Sequence, residues 1–421
     1  MPSFSIPLSG LDADQQALSV VANNLSNMNT VGYKDQQVNF QDLFYQSLGT
    51  NGSGDSLQVG AGCSVGSVTS DFTAGDIEST GVATDAAING NGFFITQQNG
   101  QTEYTRAGNL QVNNTGYLTT QAGQNVMGYP ATNGVVSNAG LAPLQIGTGT
   151  VIPATATTNL QMSMNLNSDG GVGATYSSPM TVYDSLGTSH ELTFNFTQTG
   201  ANSWSYNATI PGADVGAGTA LATVGSGTLT FDSNGNLATI NGAAVSASTP
   251  NITGINLTGL SDGASPMSLS WTALDPSGNS LITQTSSASA TSASTQNGFA
   301  SGSLNSYAIQ TNGTIEGQFS NGQSLILGQI AMAQFGNENG LSLVGGNSFQ
   351  STVASGQAVV GTAGSGGLGT LTGGSLEQSN VDMATEFSNM IVDQRGFEAN
   401  AKVITAFDQI SQDTINIEQG G

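Results

Sequence analysis

Two apolar stripes, one at each end of the chain, constrain its fold more than any other feature. Near the N-terminus Leu11, Leu18, Val21, Leu25 and Met28 recur at spacings of 7, 3, 4 and 3. Near the C-terminus Phe387, Met390, Phe397, Ala401 and Ile404 form a matching seam. Both read as a/d positions of heptads, although about 350 residues separate them. The pattern predicts an elongated subunit whose ends meet at one pole, an architecture of assembly before one of catalysis. A helix of about 20 residues is marginal alone in water, so both ends are expected to be ordered by neighbours.

Each stripe carries punctuation. Ser9-Gly10-Leu11-Asp12 and Ser379-Asn380-Val381-Asp382 place a hydroxyl three residues before a carboxylate, which predicts helix caps at both sites. Asn27, Asn29, Thr30 and Gly32 end the first helix, and the second is expected from about 382 to about 417.

Composition enters where surfaces are concerned. Charged residues make up 7% of the chain against about 25% in ordinary domains, so solubility rests on Asn, Gln, Ser and Thr. Four basic residues against 27 acidic ones give a net charge of −23, which leaves no basic groove for a nucleic acid backbone. The four are Lys34, Arg106, Arg395 and Lys402, so the middle of the chain contains no Lys or Arg and reads as a separate module. Cys63, the single cysteine, cannot close an intrachain disulfide and reads as an incidental residue. The start Met1-Pro2-Ser3-Phe4 has neither a basic n-region nor an apolar h-region, so no Sec signal peptide is visible and any route out of the cell would be one this rule does not detect; no run approaches a membrane span, and no membrane insertion is expected.

Between the stripes the text is β. Gly92-Phe93-Phe94-Ile95-Thr96 and Tyr117-Leu118-Thr119-Thr120 are short runs broken by Asn89-Gly90, Asn91-Gly92, Asn99-Gly100 and Thr115-Gly116, the signature of tight hairpins. The expected fold class is α+β, mainly β, with N- and C-terminal helices paired as a coiled coil and nested β-rich domains between them. Its boundaries are 1–32 and 380–421 for the helical domain, 33–70 and 361–379 for Gly/Ser-rich connecting segments, 71–142 and 295–360 for a β domain, and 143–294 for an inserted outer β domain. Stretches 49–64 and 361–374 read as flexible joints, and the Ser/Ala/Thr run 286–294 as a linker or long loop.

Catalytic chemistry finds few residues to work with. His190 is the only histidine; it stands at a strand start and reads as a polar strand-edge residue. No zinc ligand set is present. Gly364, Gly366 and Gly369 match G-x-G-x-x-G without the strand and helix that a dinucleotide site needs, and Asp232-Ser233-Asn234-Gly235-Asn236 reads as a hairpin turn, since Ala243 stands where a calcium loop has its bidentate Glu. No pair of carboxylates suited to acid and base work is evident, so no enzyme, metal or cofactor is expected.

Several motifs then point the same way. The stretch from Ser9 through Asn23, Asn24, Asn29, Thr30, Gly32 and Lys34, together with Leu376-Glu377-Gln378-Ser379-Asn380-Val381-Asp382 and Gln394-Arg395, resembles the bacterial flagellar axial proteins of the rod and hook group. Gly90-Asn91-Gly92-Phe93-Phe94-Ile95, Thr105-Arg106-Ala107-Gly108-Asn109 and Gly116-Tyr117-Leu118 resemble the β domain of that group. The large middle module, with Tyr183-Asp184-Ser185-Leu186-Gly187 and His190, and Leu327-Gly328-Gln329-Ile330, is similar to the hook proteins within it.

The resemblance implies a self-assembling helical tube, flexible and curved, that passes motor torque to the filament and encloses an export channel lined by the terminal helices. It implies rod proteins, hook cap and hook-filament junction proteins and a type III export apparatus as partners, and an extracellular place in the flagellum, continuous with the basal body. A distal rod or other axial protein is the nearest alternative. A secreted β-rich adhesin would explain the acidic Gly/Thr/Asn-rich middle but not the terminal heptads.

Overall fold

The computed structural model describes residues 4–50, 56–137, 140–147, 149–246 and 251–419. The chain divides into two compact units, one of Met1–Thr148, Ser306–Gly317 and Ser324–Gly421, the other of Gly149–Asn305 and Gln318–Gln323.

The first unit carries both helices, α1 (Ser5–Ser26) and α2 (Met383–Gln419). They run antiparallel, since Phe4 meets Phe407 edge to face at 5.9 Å, Asn400 Nδ2 donates to Asp14 at 2.9 Å, and Asn24 Nδ2 donates to Glu386 at 3.0 Å. The buried face of α1 is made of Pro7, Gly10, Ala13, Ala17, Val21 and Asn24. These small residues permit close approach: a Cβ on Gly10 would stand 2.7 Å from the Asn400 amide.

Its β body is built on the strand Phe93–Gln98, which folds back on Gln101–Thr105 through Asn99-Gly100, both at positive φ as a primed hairpin turn requires. Phe93–Gln98 also pairs with Asn125–Thr132 and with Ser324–Gln334. Phe93, Ile95, Tyr104, Phe335 and Phe349 fill one face, while Ile88, Phe94, Val126, Ile330, Met332 and Leu371 fill the other. Covering on both faces explains why apolar residues come consecutively in Phe93-Phe94-Ile95 instead of alternating. The outgoing and returning chain are stitched together by antiparallel pairs: Ile77–Ser79 with Ser375–Glu377, and Ala86–Asn89 with Thr370–Gly373.

The second unit is a pair of sheets around one core. An antiparallel meander, Thr175–Tyr183, Ser189–Gly200, Ser203–Pro211 and Leu221–Phe231 with two short strands after it, alternates buried and exposed residues along its length. The other sheet centres on Asn159–Asn167, parallel to Met267–Thr272 and Ile282–Thr285. Phe194, Phe196, Trp204 and Tyr206 from the first and Leu160, Met162, Leu269 and Trp271 from the second share that core.

Several expectations from sequence are corrected. The Ser/Ala/Thr run 286–294 is not loop beyond 289: Ala290–Gln296 pairs antiparallel with Asn159–Asn167 as a mostly exposed edge strand, with the Thr291 hydroxyl bonded to Ser178 at 2.8 Å. Nor is 361–374 a free joint, because Val359–Thr362 and Thr370–Gly373 are paired strands and Ala363, Leu368 and Leu371 are buried. Gly364, Gly366 and Gly369 lie in the turn between them, where Gly364 and Gly366 are at positive φ. Of the joint expected at 49–64, residues 51–55 lie outside the described residues, and 63–64 belong to the strand Cys63–Ser70 paired with Gln36–Asp42. The caps shift as well. Helix α1 opens at Ser5, so Ser9 lies inside it and donates to the Ile6 carbonyl; Asp382 itself caps α2, accepting from the Thr385 amide at 2.7 Å.

Candidate functional site at the base of the terminal helices

Both helices enter the β body at one place, and the chemistry there is ionic. Lys34, eight residues beyond the end of α1, donates to Glu377 Oε1 at 2.6 Å and to the Thr73 carbonyl at 2.6 Å. Arg106, from the end of the Gln101–Thr105 strand, donates to Glu377 Oε2 at 3.3 Å, and the Gly75 amide donates to Glu377 Oε1 at 3.0 Å. Glu377 is wholly buried, with Lys34 at 2% and Arg106 at 1% exposure. Two cations thus share one carboxylate. Burial pushes the Lys34 ammonium below its ordinary value, with Glu377 opposing. The Arg106 guanidinium lies 5.6 Å from the Phe93 ring centroid, where the π face supplies a second, weaker counterpart.

Backbone closes around this triad. The Gly32 amide donates to the Glu377 carbonyl at 2.8 Å, and Gly32 is left-handed (φ 66°). A Cβ there would stand 2.7 Å from the Arg106 carbonyl carbon, so glycine is required on two counts. Asn380 spans the same gap: its Oδ1 accepts from the Asp35 amide at 2.7 Å and its Nδ2 donates to the Asp71 carbonyl at 2.9 Å. Asn347 Nδ2 donates to the Val31 carbonyl at 2.8 Å.

One turn up the helices, Asn24 uses its whole bonding capacity at 1% exposure. Its Nδ2 donates to the Gln36 carbonyl (2.8 Å) and Glu386 (3.0 Å); its Oδ1 accepts from the Gln36 amide (3.1 Å) and the Tyr33 hydroxyl (3.1 Å). Asn23 donates to that hydroxyl at 3.0 Å. Burial, then the charges of Asp35 and Glu386, push Tyr33 up to about 12, so it remains a donor. The same causes work on acids nearby. Burial, with Glu386 and Asp71, raises Asp35 to about 6, and burial, with Asp14 and Glu386, raises Asp393.

Of the expected seam, Val21 is buried and Leu11, Leu18, Leu25 and Met28 are half-buried beside the small-residue face that meets α2. On α2 Met390, Phe397, Ala401 and Ile404 are half-buried, and Phe387 is 49% exposed. Among the motif residues, Thr30 Oγ1 donates to Asn27, the Ser379 hydroxyl accepts from the Val381 amide, and Val381 is buried. Asn29 and Gln394 are exposed, and Arg395 makes a surface pair with Glu398. Asp232 Oδ1 accepts from the Asn234 and Asn236 amides, the hairpin turn expected there. Cys63 is a free thiol whose amide donates to Ser9 Oγ at 3.2 Å.

Four family models match the chain. They are described as flagella basal body rod protein (residues 6–34), flagellar hook protein FlgE/F/G D1 domain (87–174), flagellar basal body protein FlaE D2 domain (169–299) and flagellar basal body rod FlgEFG protein C-terminal (372–417). The flagellar hook protein FlgE of Salmonella typhimurium is 37% identical, with 99% of this chain and 100% of that protein covered. That of Treponema pallidum is 32% identical over 100% of both. The chain belongs to the flagellar hook protein family.

The hook protein FlgE2 of Helicobacter pylori, as a crystal structure, has the same fold over 72% of this chain and 99% of its own, with a TM-score of 0.52 at 15% identity. The matches at the two termini are shared with rod proteins, so it is the relatives covered along their full length that place the chain among hook proteins. Among the described residues of this hook-family chain, no helix is long and apolar enough to cross a membrane. Sequence reasoning quoted Lys34, Arg106 and Glu377 as motif letters without seeing that they form one site. Their scarcity was the available signal, since two of only four basic residues meet here.

Proposed function

We propose that this chain polymerises into the flexible curved tube of the hook, a universal joint passing torque from motor to filament, and that its terminal helices pair as a coiled coil and line the central export channel. One observation carries the assembly reading. Helix α2 has 37 residues and α1 only 22, so at 1.5 Å per residue about 20 Å of α2 extends beyond α1 among the described residues. That overhang and the outward face of α2 are apolar at heptad spacing: Val392, Val403, Ile410 and Ile417 are 65%, 42%, 54% and 77% exposed. The occupants are the same helices of adjacent copies, against which the half-buried Leu11, Leu18 and Leu25 also pack. The motif residues Asn23, Asn24, Asn29, Thr30, Gly32, Ser379, Asn380, Val381, Asp382, Gln394 and Arg395 set the angle of the arms and their contacts.

The remaining partners follow from a place in the hook: rod proteins below, cap and hook-filament junction proteins above, and the type III export apparatus through which an uncleaved chain reaches the outside of the cell. The domain division in this reading is a helical inner part, a β body of 71–142 and 295–360, and an outer insertion of 143–294. With charged residues only 7% of the chain, its surfaces favour sliding between copies, because few ion pairs lock neighbours. Deleting residues 1–30 is expected to leave a soluble β-rich monomer that no longer polymerises. Tubes from that variant in negative stain would refute the assembly role of the helices, and intact hooks in a strain lacking the gene would refute the hook role.

A further inference from the structure

The second unit contains no Lys or Arg, since the chain's four basic residues are Lys34, Arg106, Arg395 and Lys402. His190 is therefore the only side chain in that unit able to carry positive charge. It is not the polar edge residue expected from sequence: Ser189–Gly200 is an interior strand, flanked on both sides, and His190 is 4% exposed.

Three carboxylates converge on it. Asp214, from the turn Gly212–Val215, places Oδ2 2.9 Å from Nδ1. Asp184, next after the strand Thr175–Tyr183, places Oδ2 3.3 Å from Nε2 and is wholly buried. Its Oδ1 is occupied by the Leu186 and Thr188 amides, both at 2.8 Å, which aims Oδ2 at the ring. Asp262, from the loop before Met267–Thr272, brings a carboxylate oxygen within 4.8 Å of Asp184 and a His190 ring nitrogen. Glu191 lies on the opposite, exposed face of the strand.

A neutral imidazole has one N–H and one lone pair. Between two carboxylates it would turn that lone pair against an anion inside a buried site, whereas the imidazolium donates to both. We propose that His190 is held protonated between Asp184 and Asp214 and acts as a pH-released clamp on three loops at one end of the unit. The loops are already in register. Ser261 bonds to the Asp214 carbonyl at 2.8 Å and to the Ala213 carbonyl at 2.7 Å, and the Ser265 amide donates to Ser185 Oγ at 3.0 Å.

The direction of the pH response follows. Burial works against the charged ring, but the hydrogen bonds and charges of Asp214 and Asp184 outweigh it and raise His190 above 6.5. Burial likewise opposes the Asp184 carboxylate, yet the Asp262 carboxyl, the Thr188 and Leu186 amides and His190 hold it down to about 2. A raised histidine stabilises below 6.5 and loses that contribution as pH rises through its folded value. A depressed carboxylate stabilises above 3.8 and loses its contribution as pH falls towards about 2. The clamp is tightest from about 3.8 to about 6.5 and opens on the alkaline side.

The full chain has one histidine, so labelling with 13C,15N-histidine gives a single imidazole signal to titrate. The expected result is a midpoint above 6.5, with both ring nitrogens protonated below it, and a midpoint that falls in Asp214→Asn. Amide exchange in 184–188, 212–215 and 258–264, corrected for its intrinsic pH dependence, should rise through the same midpoint. A neutral single tautomer at pH 6 with a midpoint at or below 6.5 overturns the clamp, and wild type alone decides this if the variant does not fold. A signal that ignores pH but moves on adding EDTA also overturns it, because a metal ion would then hold the cluster.

Discussion

Replacing Glu377 by Gln tests the ionic junction most directly. The substitution keeps the shape and one acceptor oxygen but removes the negative charge of the carboxylate bonded to both Lys34 and Arg106. Both cations are almost fully buried, and stripping a buried pair of one partner costs about 3–5 kcal/mol. Since about 1.4 kcal/mol is a factor of ten, local opening should become roughly a hundred to several thousand times more frequent. Lys34→Met should do less. It loses the bonds to Glu377 Oε1 and to the Thr73 carbonyl, but leaves Glu377 and Arg106 as a balanced pair with the Gly75 amide still on Oε1, so its cost is about 1–3 kcal/mol. The assay is hydrogen exchange by mass spectrometry on the full-length monomer, read in peptides covering 31–36, 73–79 and 374–381. Arg395→Ala, which breaks only an exposed pair, serves as the control and should change nothing measurable. If Glu377→Gln leaves protection within about threefold of wild type, or if Lys34→Met costs more, the charge argument for this junction is wrong.

Three further outcomes are expected. Gly32→Ala should cost about 3 kcal/mol or more in urea unfolding, because it combines a left-handed backbone with a Cβ 2.7 Å from the Arg106 carbonyl carbon. Asn24→Asp loses both donated bonds and sets a carboxylate beside Glu386, for about 3 kcal/mol at neutral pH; limited proteolysis should show the arms cleaved faster, with recovery on acidification. Acid should strengthen the helix base, the reverse of ordinary acid denaturation. Asp35 is raised to about 6, so stability falls as pH rises from 3.8 through about 6 and returns on acidification, and unfolding midpoints measured from pH 7 to 4.5 should show that trend flattened in Asp35→Asn.

Much of the fold was legible because its signals are local. The NG hairpin at Asn99-Gly100 depends on backbone preference at two adjacent residues, and the structure has it where the sequence puts it. The helices are found at the termini, but their caps shift by several residues, since Ser9 and Asp12 satisfy the same spacing rule inside a helix as at its start. The edge strand Ala290–Gln296 was illegible because small hydroxyl residues read the same in a loop and in a strand whose partner, Asn159–Asn167, lies over 100 residues away.

The sequence by itself determined the terminal heptads, the absence of a basic surface, the β character of the middle and the motifs of the hook family. Each of these depends on neighbours in the chain or on totals. Only the tertiary structure decided which face of α1 meets α2: close approach selects the small residues Gly10, Ala13 and Ala17 over the leucines beside them. It also decided that Lys34, Arg106 and Glu377 form one site, and that His190 stands among three aspartates. Buried charge acts through distances of a few ångströms between residues up to 343 positions apart in the chain, and no spacing rule along a sequence carries that information.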